Sequence, residues 1–190
     1  MNNPYLKEFG HNQPPFQVKQ SGNDGWDRKD LIRQYAHAIP SAEAATTAAQ
    51  YAQKIVEIGA GNGYWAWFFS QAGIDVLAFD LYPDHSFWKK KWFDVKFGYT
   101  TVAKKFPDRA LMLVWPCAER MSKMASHALQ SYEGDTVIYV GEPQDGKGLT
   151  AGEEFFGILE SRFEVAEIVW LPRWAIYYDH MAIYVKKETN

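Results

Sequence analysis

Three glycines at alternate positions, Gly59, Gly61 and Gly63, interrupt the run Lys54-Ile55-Val56-Glu57-Ile58-Gly59-Ala60-Gly61-Asn62-Gly63-Tyr64. Glycine lets a backbone both turn tightly and come close to a ligand, so this run has the chemistry of a ligand-cradling loop. It is not the dinucleotide fingerprint, which needs glycine at the first, third and sixth places; here the fifth is glycine and the sixth is the bulky Tyr64. Two acids accompany the loop. Glu57 precedes Gly59 by two residues, and Asp80 follows it by 21, at the end of the apolar run Val76-Leu77-Ala78-Phe79. A carboxylate at that position can accept hydrogen bonds from both hydroxyls of a ribose, two adjacent donors meeting two oxygens. A lone Asp after a strand can equally be a turn residue.

For these groups to converge, the chain must alternate strand and helix. Apolar runs at Ile55-Val56, Val76 to Phe79, Phe93 to Phe97, Ala110 to Trp115 and Thr136 to Val140 alternate with helical patterns beginning near Gly63, Thr101, Cys117 and Gly152. That is the signature of βαβ units and a parallel sheet. The helix near Cys117 has the clearest face, Ala118, Met121, Ala125, Ala128 and Leu129, with Gly134 as its breaker. Phe163 to Trp170 and Met181 to Lys187 also read as strands. The ten residues between them, with Pro172 near their start, are too few for a helical crossover, so these strands should be antiparallel neighbours. The chain is thus predicted to be an α/β domain: a seven-stranded, mostly parallel sheet with an antiparallel last strand and helices on both faces.

Ahead of the sheet, Leu31, Ile32, Tyr35, Ala36 and Ile39 share a helical face, which predicts a helix from Asp27 to Ile39. Pro40-Ser41 should stop it, with Ser41 capping an alanine-rich helix to about Gln50. Residues 1–26, broken by Pro14-Pro15 and by Ser21-Gly22-Asn23-Asp24-Gly25, are expected to form a flexible N-terminal arm or lid, which leaves 27–190 as the domain.

The segment Glu57 to Gly63 resembles motif I of the class I S-adenosylmethionine-dependent methyltransferases. Their acidic-x-Gly-x-Gly-x-Gly pattern matches Glu57, Gly59, Gly61 and Gly63 residue for residue, and the resemblance continues at Asp80-Leu81. It implies a single-domain Rossmann-like methyltransferase fold with S-adenosylmethionine as cofactor. The implied cofactor-binding residues are Glu57, Gly59, Ala60, Gly61, Gly63, Asp80, Leu81 and Trp115, with Asp80 on the ribose and Leu81 against adenine. The motifs span about residues 54 to 81, and the order of elements carries the similarity to 187. The family often has an acid near the end of the third strand for the adenine amine. Phe97-Gly98-Tyr99 stands there instead, so backbone or stacking contacts are expected to replace it.

Methyl transfer from a sulfonium needs little covalent help, because the leaving group is already activated. The protein must hold the acceptor in line and remove any proton it carries. In such a fold ligands meet at the carboxyl ends of the strands, beside Trp115-Pro116-Cys117 and Gly141-Glu142-Pro143. Cys117, Glu142 and His180 are the candidate catalytic residues. Cytosine-C5 methyltransferases are similar in holding a Pro-Cys nucleophile after strand four, and some a glutamate after strand five. A small buried cysteine capping a helix is the alternative, and the chain has neither a target-recognition domain nor a basic groove. The Asn/Asp-Pro-Pro-aromatic motif of amino methylation is absent, since Trp115 and Ala118 stand at its ends. His85, His127 and Tyr178-Asp179-His180 are further polar candidates. His127 also reads as an exposed or core-edge residue, and 178–180 either as plain turn chemistry at the hairpin or as a loop flanking an acceptor pocket. Trp88 and Trp174 are expected to line an apolar pocket that suits a small planar acceptor.

Composition limits the alternatives. With 190 residues the chain fits one α/β domain, and an apolar share of 47% excludes wholesale disorder. Net charge is −3, from 20 basic and 23 acidic residues, so the broad positive field of a nucleic-acid binder is missing. Lys89-Lys90-Lys91 reads as a solvated face. No apolar run reaches the roughly 18 residues of a membrane span, and the lone Cys117 permits no internal disulfide, both fitting a cytoplasmic protein. The expected partner is a small-molecule methyl acceptor, with nucleic acid disfavoured and no membrane or metal; a nucleic-acid or protein methyltransferase, or a non-catalytic scaffold with the same fold, is the alternative, and the oligomeric state stays open.

Overall fold

Lys54–Ile58 (β1) is the axis of the fold. Its four apolar or acidic residues after Lys54 are all buried, Ile55 against one layer and Val56 and Ile58 against the other, as a central parallel strand requires. The computed structural model describes residues 1–8, 17–18, 28–174 and 177–188. Asp75–Asp80 (β2), Val95–Phe97 (β3), Ala110–Val114 (β4), Thr136–Gly141 (β5), Phe163–Trp170 (β6) and His180–Lys186 (β7) complete one seven-stranded sheet in the order β3-β2-β1-β4-β5-β7-β6. The first five strands run parallel, and β7 lies antiparallel between β5 and β6. Strand order reverses between β1 and β4, the place where open α/β sheets leave a crevice at their carboxyl ends. Ile58 is in register with Phe79, so the glycine loop and Asp80 emerge side by side.

Helices cover both faces. Pro4–Lys7 (α1), Arg28–Gln34 (α2), Ala42–Tyr51 (α3) and Tyr64–Ser70 (α4) belong with the core layer of Ala44, Ala48, Trp65 and Phe69. Met124–Ser131 (α5), Glu153–Arg162 (α6) and the 3-10 turn Thr100–Lys105 form the layer of Ala103, Leu129, Phe155 and Leu159. Ser41 caps α3 as its sequence predicts, accepting from the Ala44 N–H at 3.1 Å. Gln17–Val18 pairs in parallel with Arg173–Trp174 as a separate two-stranded ladder. Among the described residues no helix is long and apolar enough to cross a membrane.

Three expectations change. The helix predicted to reach Ile39 stops at Gln34, whose carbonyl, which a longer helix would give to the Ala38 N–H, accepts from another donor. The indole of Trp92 donates to the Gln34 carbonyl (2.7 Å) and that of Trp65 to the Ala38 carbonyl (3.1 Å). The helix predicted from Cys117 begins only at Met124. Cys117 instead bridges Thr150, with Glu119 N donating to Ala151 O (2.7 Å) and Ala151 N to Pro116 O (3.1 Å), so Met121 is left 75% exposed rather than on a core face. The start of the expected arm is also packed: Asn3, Tyr5 and Leu6 are buried, with Tyr5 stacked on Tyr35 at 4.8 Å. Most of that arm, residues 9–16 and 19–26, lies outside the described residues.

Candidate functional site

The glycine loop is tied to the neighbouring strand before any ligand is considered. Gly59 N and Ala60 N both donate to Phe79 O, at 2.8 and 3.1 Å. Asp80 then closes the turn, its Oδ2 accepting from Gly61 N at 2.9 Å and its Oδ1 from Tyr82 N at 2.7 Å. A carboxylate has about four acceptor directions, so each oxygen keeps one for a further donor. Gly61 has φ +56°, and a Cβ there would lie 2.6 Å from the Trp88 indole, so both conformation and space demand glycine. Gly63 differs. It starts α4 at φ +77° and packs against Phe93, and it does not line the crevice, so its need is structural.

Above the loop opens a crevice of about 700 Å³, within the range of small-molecule sites. Seven of the eight residues expected to hold a cofactor line it: Glu57, Gly59, Ala60, Gly61, Asp80, Leu81 and Trp115. Gly98, Tyr99 and Thr100, after β3, line the same end, and Tyr99 is 60% exposed where an acid is absent. The roof is the segment after Asp80, in which Trp88 meets Phe87 edge to face at 4.9 Å. That segment is held on α2: Lys89 N donates to Arg33 O (2.8 Å), Arg33 Nε to Phe87 O (3.0 Å), and Lys89 pairs with Asp30 (2.9 Å). The lysine run is exposed, as expected, with Lys91 paired to Asp84 and Lys90 over the Trp92 ring.

Glu57 is only 1% exposed, and its Oε2 has no hydrogen-bond partner among the described residues. Burial, reinforced by the nearby Asp80 carboxylate, pushes its carboxyl up to about 8. The opposite wall is aromatic. Trp115, at φ +49°, donates from Nε1 to Asp179 Oδ1 at 2.9 Å. His37 stacks on it with centroids 4.6 Å apart and planes 9° from parallel, and burial followed by the Arg28 charge lowers that imidazole to about 4.

Among solved structures, a mutant of MtNAS in complex with S-adenosylmethionine is similar, with a TM-score of 0.53 and 16% identity over 77% of this chain and 61% of that one. Streptococcus pneumoniae Sp1610, proposed as a tRNA (m1A22) methyltransferase, gives 0.51 and 10% over 80% and 72%. This chain has the class I methyltransferase fold. No protein-family model matches its sequence, and none of the curated proteins compared with it does.

Within the methyltransferase fold the three catalytic candidates part company. Cys117 lines the crevice and is exposed rather than buried, and with the next helix starting at Met124 it is not a helix cap. Glu142 does not line it. Its Oε2 turns back into its own loop, accepting from Lys147 N (3.1 Å) and Leu149 N (3.3 Å). His180 is also outside, its ring near Tyr139 and Trp170, at 6.2 and 6.0 Å between centroids. Trp174 is fully buried core rather than pocket wall, whereas Trp88, His85 and His127 do line the crevice. Sequence reasoning missed His37. Nothing in Ala36-His37-Ala38 marks it, because its place follows from where α2 ends.

Proposed function

We propose that this protein is an S-adenosylmethionine-dependent methyltransferase acting on a small, planar acceptor by direct in-line transfer. The observation that carries the reading is the Asp80 carboxylate locked beside a positive-φ glycine loop at the mouth of the crevice. The residues fit the cofactor: buried Glu57 has an oxygen without a partner for an ammonium, and Asp80 keeps acceptor capacity for two ribose hydroxyls. Leu81 and Tyr99 offer apolar surface to a purine. When bound, the cofactor supplies a methyl group on a sulfonium leaving group. Phe87 and Trp88 exclude water from above, while Trp115 and His37 give a flat surface for the acceptor. His37, held neutral, can exchange hydrogen bonds with an acceptor hydroxyl or amine without carrying charge.

A second reading, thiolate addition to a pyrimidine, draws on Cys117 being exposed in the crevice. It needs an acid at the same ring, and Glu142 does not line the crevice that holds Cys117. Labelled S-adenosylmethionine incubated with a metabolite extract tests the leading reading: a labelled small product is expected, and transfer of label to nucleic acid alone would replace it with the second.

A further inference from the structure

Trp115 pays for its place in the crevice wall. It is one of two non-glycine residues with positive φ among the described residues, a conformation that disfavours a side chain. Strain of this kind persists only where surrounding contacts fix it. Two contacts hold it here: its backbone N–H donates to Val140 O at 2.7 Å, and its indole donates at 2.9 Å to Asp179, far along the chain and just before β7.

Asp179 is otherwise hard to account for. It is 1% exposed, and its second oxygen has no hydrogen-bond partner among the described residues. A carboxylate buried in this way is costly unless a charge or donor answers it. Arg28 supplies the charge without a direct ion pair among the described residues. Its guanidinium lies 4.0 Å from the Tyr177 ring centroid, 5.7 Å from that of Trp115 and 5.9 Å from that of Trp174. Side chains from two distant parts of the chain, Arg28 and Tyr177–Asp179, therefore bear on one indole, and that indole carries the parallel His37 ring at the crevice surface.

We propose that Asp179 is a positioning residue of the acceptor site: its carboxylate holds Trp115, and through Trp115 the His37 imidazole, as the flat wall against which a planar methyl acceptor is aligned. The acceptor's presence rests on the methyltransferase reading; the Asp179–Trp115–His37 linkage does not. Asp179 itself does not line the crevice, so its influence passes through the indole.

Nitrogen-15 NMR of the full chain tests the linkage directly, with Trp115→Phe assigning the indole signal. Asp179→Ala should speed exchange of the Trp115 indole N–H by about tenfold or more, the effect of losing a charge-assisted hydrogen bond. Asp179→Asn, whose amide oxygen can still accept, should restore most of the protection. The His37 ring signals should move in Asp179→Ala and in Trp115→Phe, and the double variant should add nothing further. Methyl transfer to a metabolite extract should fall in Asp179→Ala and recover in Asp179→Asn. Unchanged indole exchange in Asp179→Ala, or independent effects of the two substitutions on His37, would overturn the proposal. If Asp179→Ala does not fold, Trp115→Phe still decides, because an unmoved His37 refutes the linkage. Failure of the wild type to bind S-adenosylhomocysteine would defeat the cofactor reading alone, leaving the NMR result to judge Asp179.

Discussion

Replacing Glu57 with Gln removes one ionisable group from the crevice at almost constant volume. Glu57 is buried beside Asp80, which raises its carboxyl from the ordinary 4.5 to about 8. Between those values the folded protein holds a proton that the unfolded chain has released, so stability falls as pH rises, and the loss is complete above pH 8. A shift of this size corresponds to at most roughly 5 kcal/mol, at about 1.4 kcal/mol per unit. The Gln variant has nothing to ionise at this position and should lack that slope. Urea unfolding followed by tryptophan fluorescence, at intervals from pH 5 to 9, gives the wild-type minus variant difference. Other shifted groups, Asp179 raised to about 6 and His37 lowered to about 4, are common to both proteins and cancel. A difference that stays constant across this range would refute the assignment of Glu57 as a buried, protonated acid. The same reasoning expects cofactor binding near pH 7 to release protons, because a bound ammonium favours the carboxylate.

Asp80→Ala removes an acceptor that holds both Gly61 N and Tyr82 N and should weaken S-adenosylhomocysteine binding by about 2 kcal/mol or more, roughly thirtyfold in a calorimetric Kd. Gly61→Ala puts a Cβ at positive φ against the Trp88 indole and should cost about 1 to 3 kcal/mol in urea unfolding; an unchanged midpoint would mean that Trp88 does not rest there. Cys117→Ala should leave methyl transfer intact, since in-line transfer makes no use of the thiol; abolished turnover would point to covalent catalysis instead.

The part of the site legible in the sequence is the part built locally. From Glu57 to Asp80 a strand, a glycine turn, a helix and a second strand follow in direct succession, so residue type and spacing locate the loop and the carboxylate together. The antiparallel β6 and β7 were legible for a similar reason, a connection too short for a crossover. What the sequence hid depends on contacts between distant segments. His37 faces the crevice because α2 ends at Gln34, whose carbonyl accepts from the indole of Trp92, 58 residues away, instead of from the next turn. Position after a strand drew attention to Glu142, but spacing says nothing of side-chain direction, and its Oε2 answers two N–H groups of its own loop. Asp179 looked like turn chemistry because its partner, Trp115, lies 64 residues earlier.

Calorimetric titration of the purified full chain with S-adenosylhomocysteine bears most directly on the central claim. One molecule per chain, bound with micromolar Kd and not displaced by a nicotinamide dinucleotide, is the expected result. Absence of binding at millimolar ligand, or preferential binding of the dinucleotide, would contradict it.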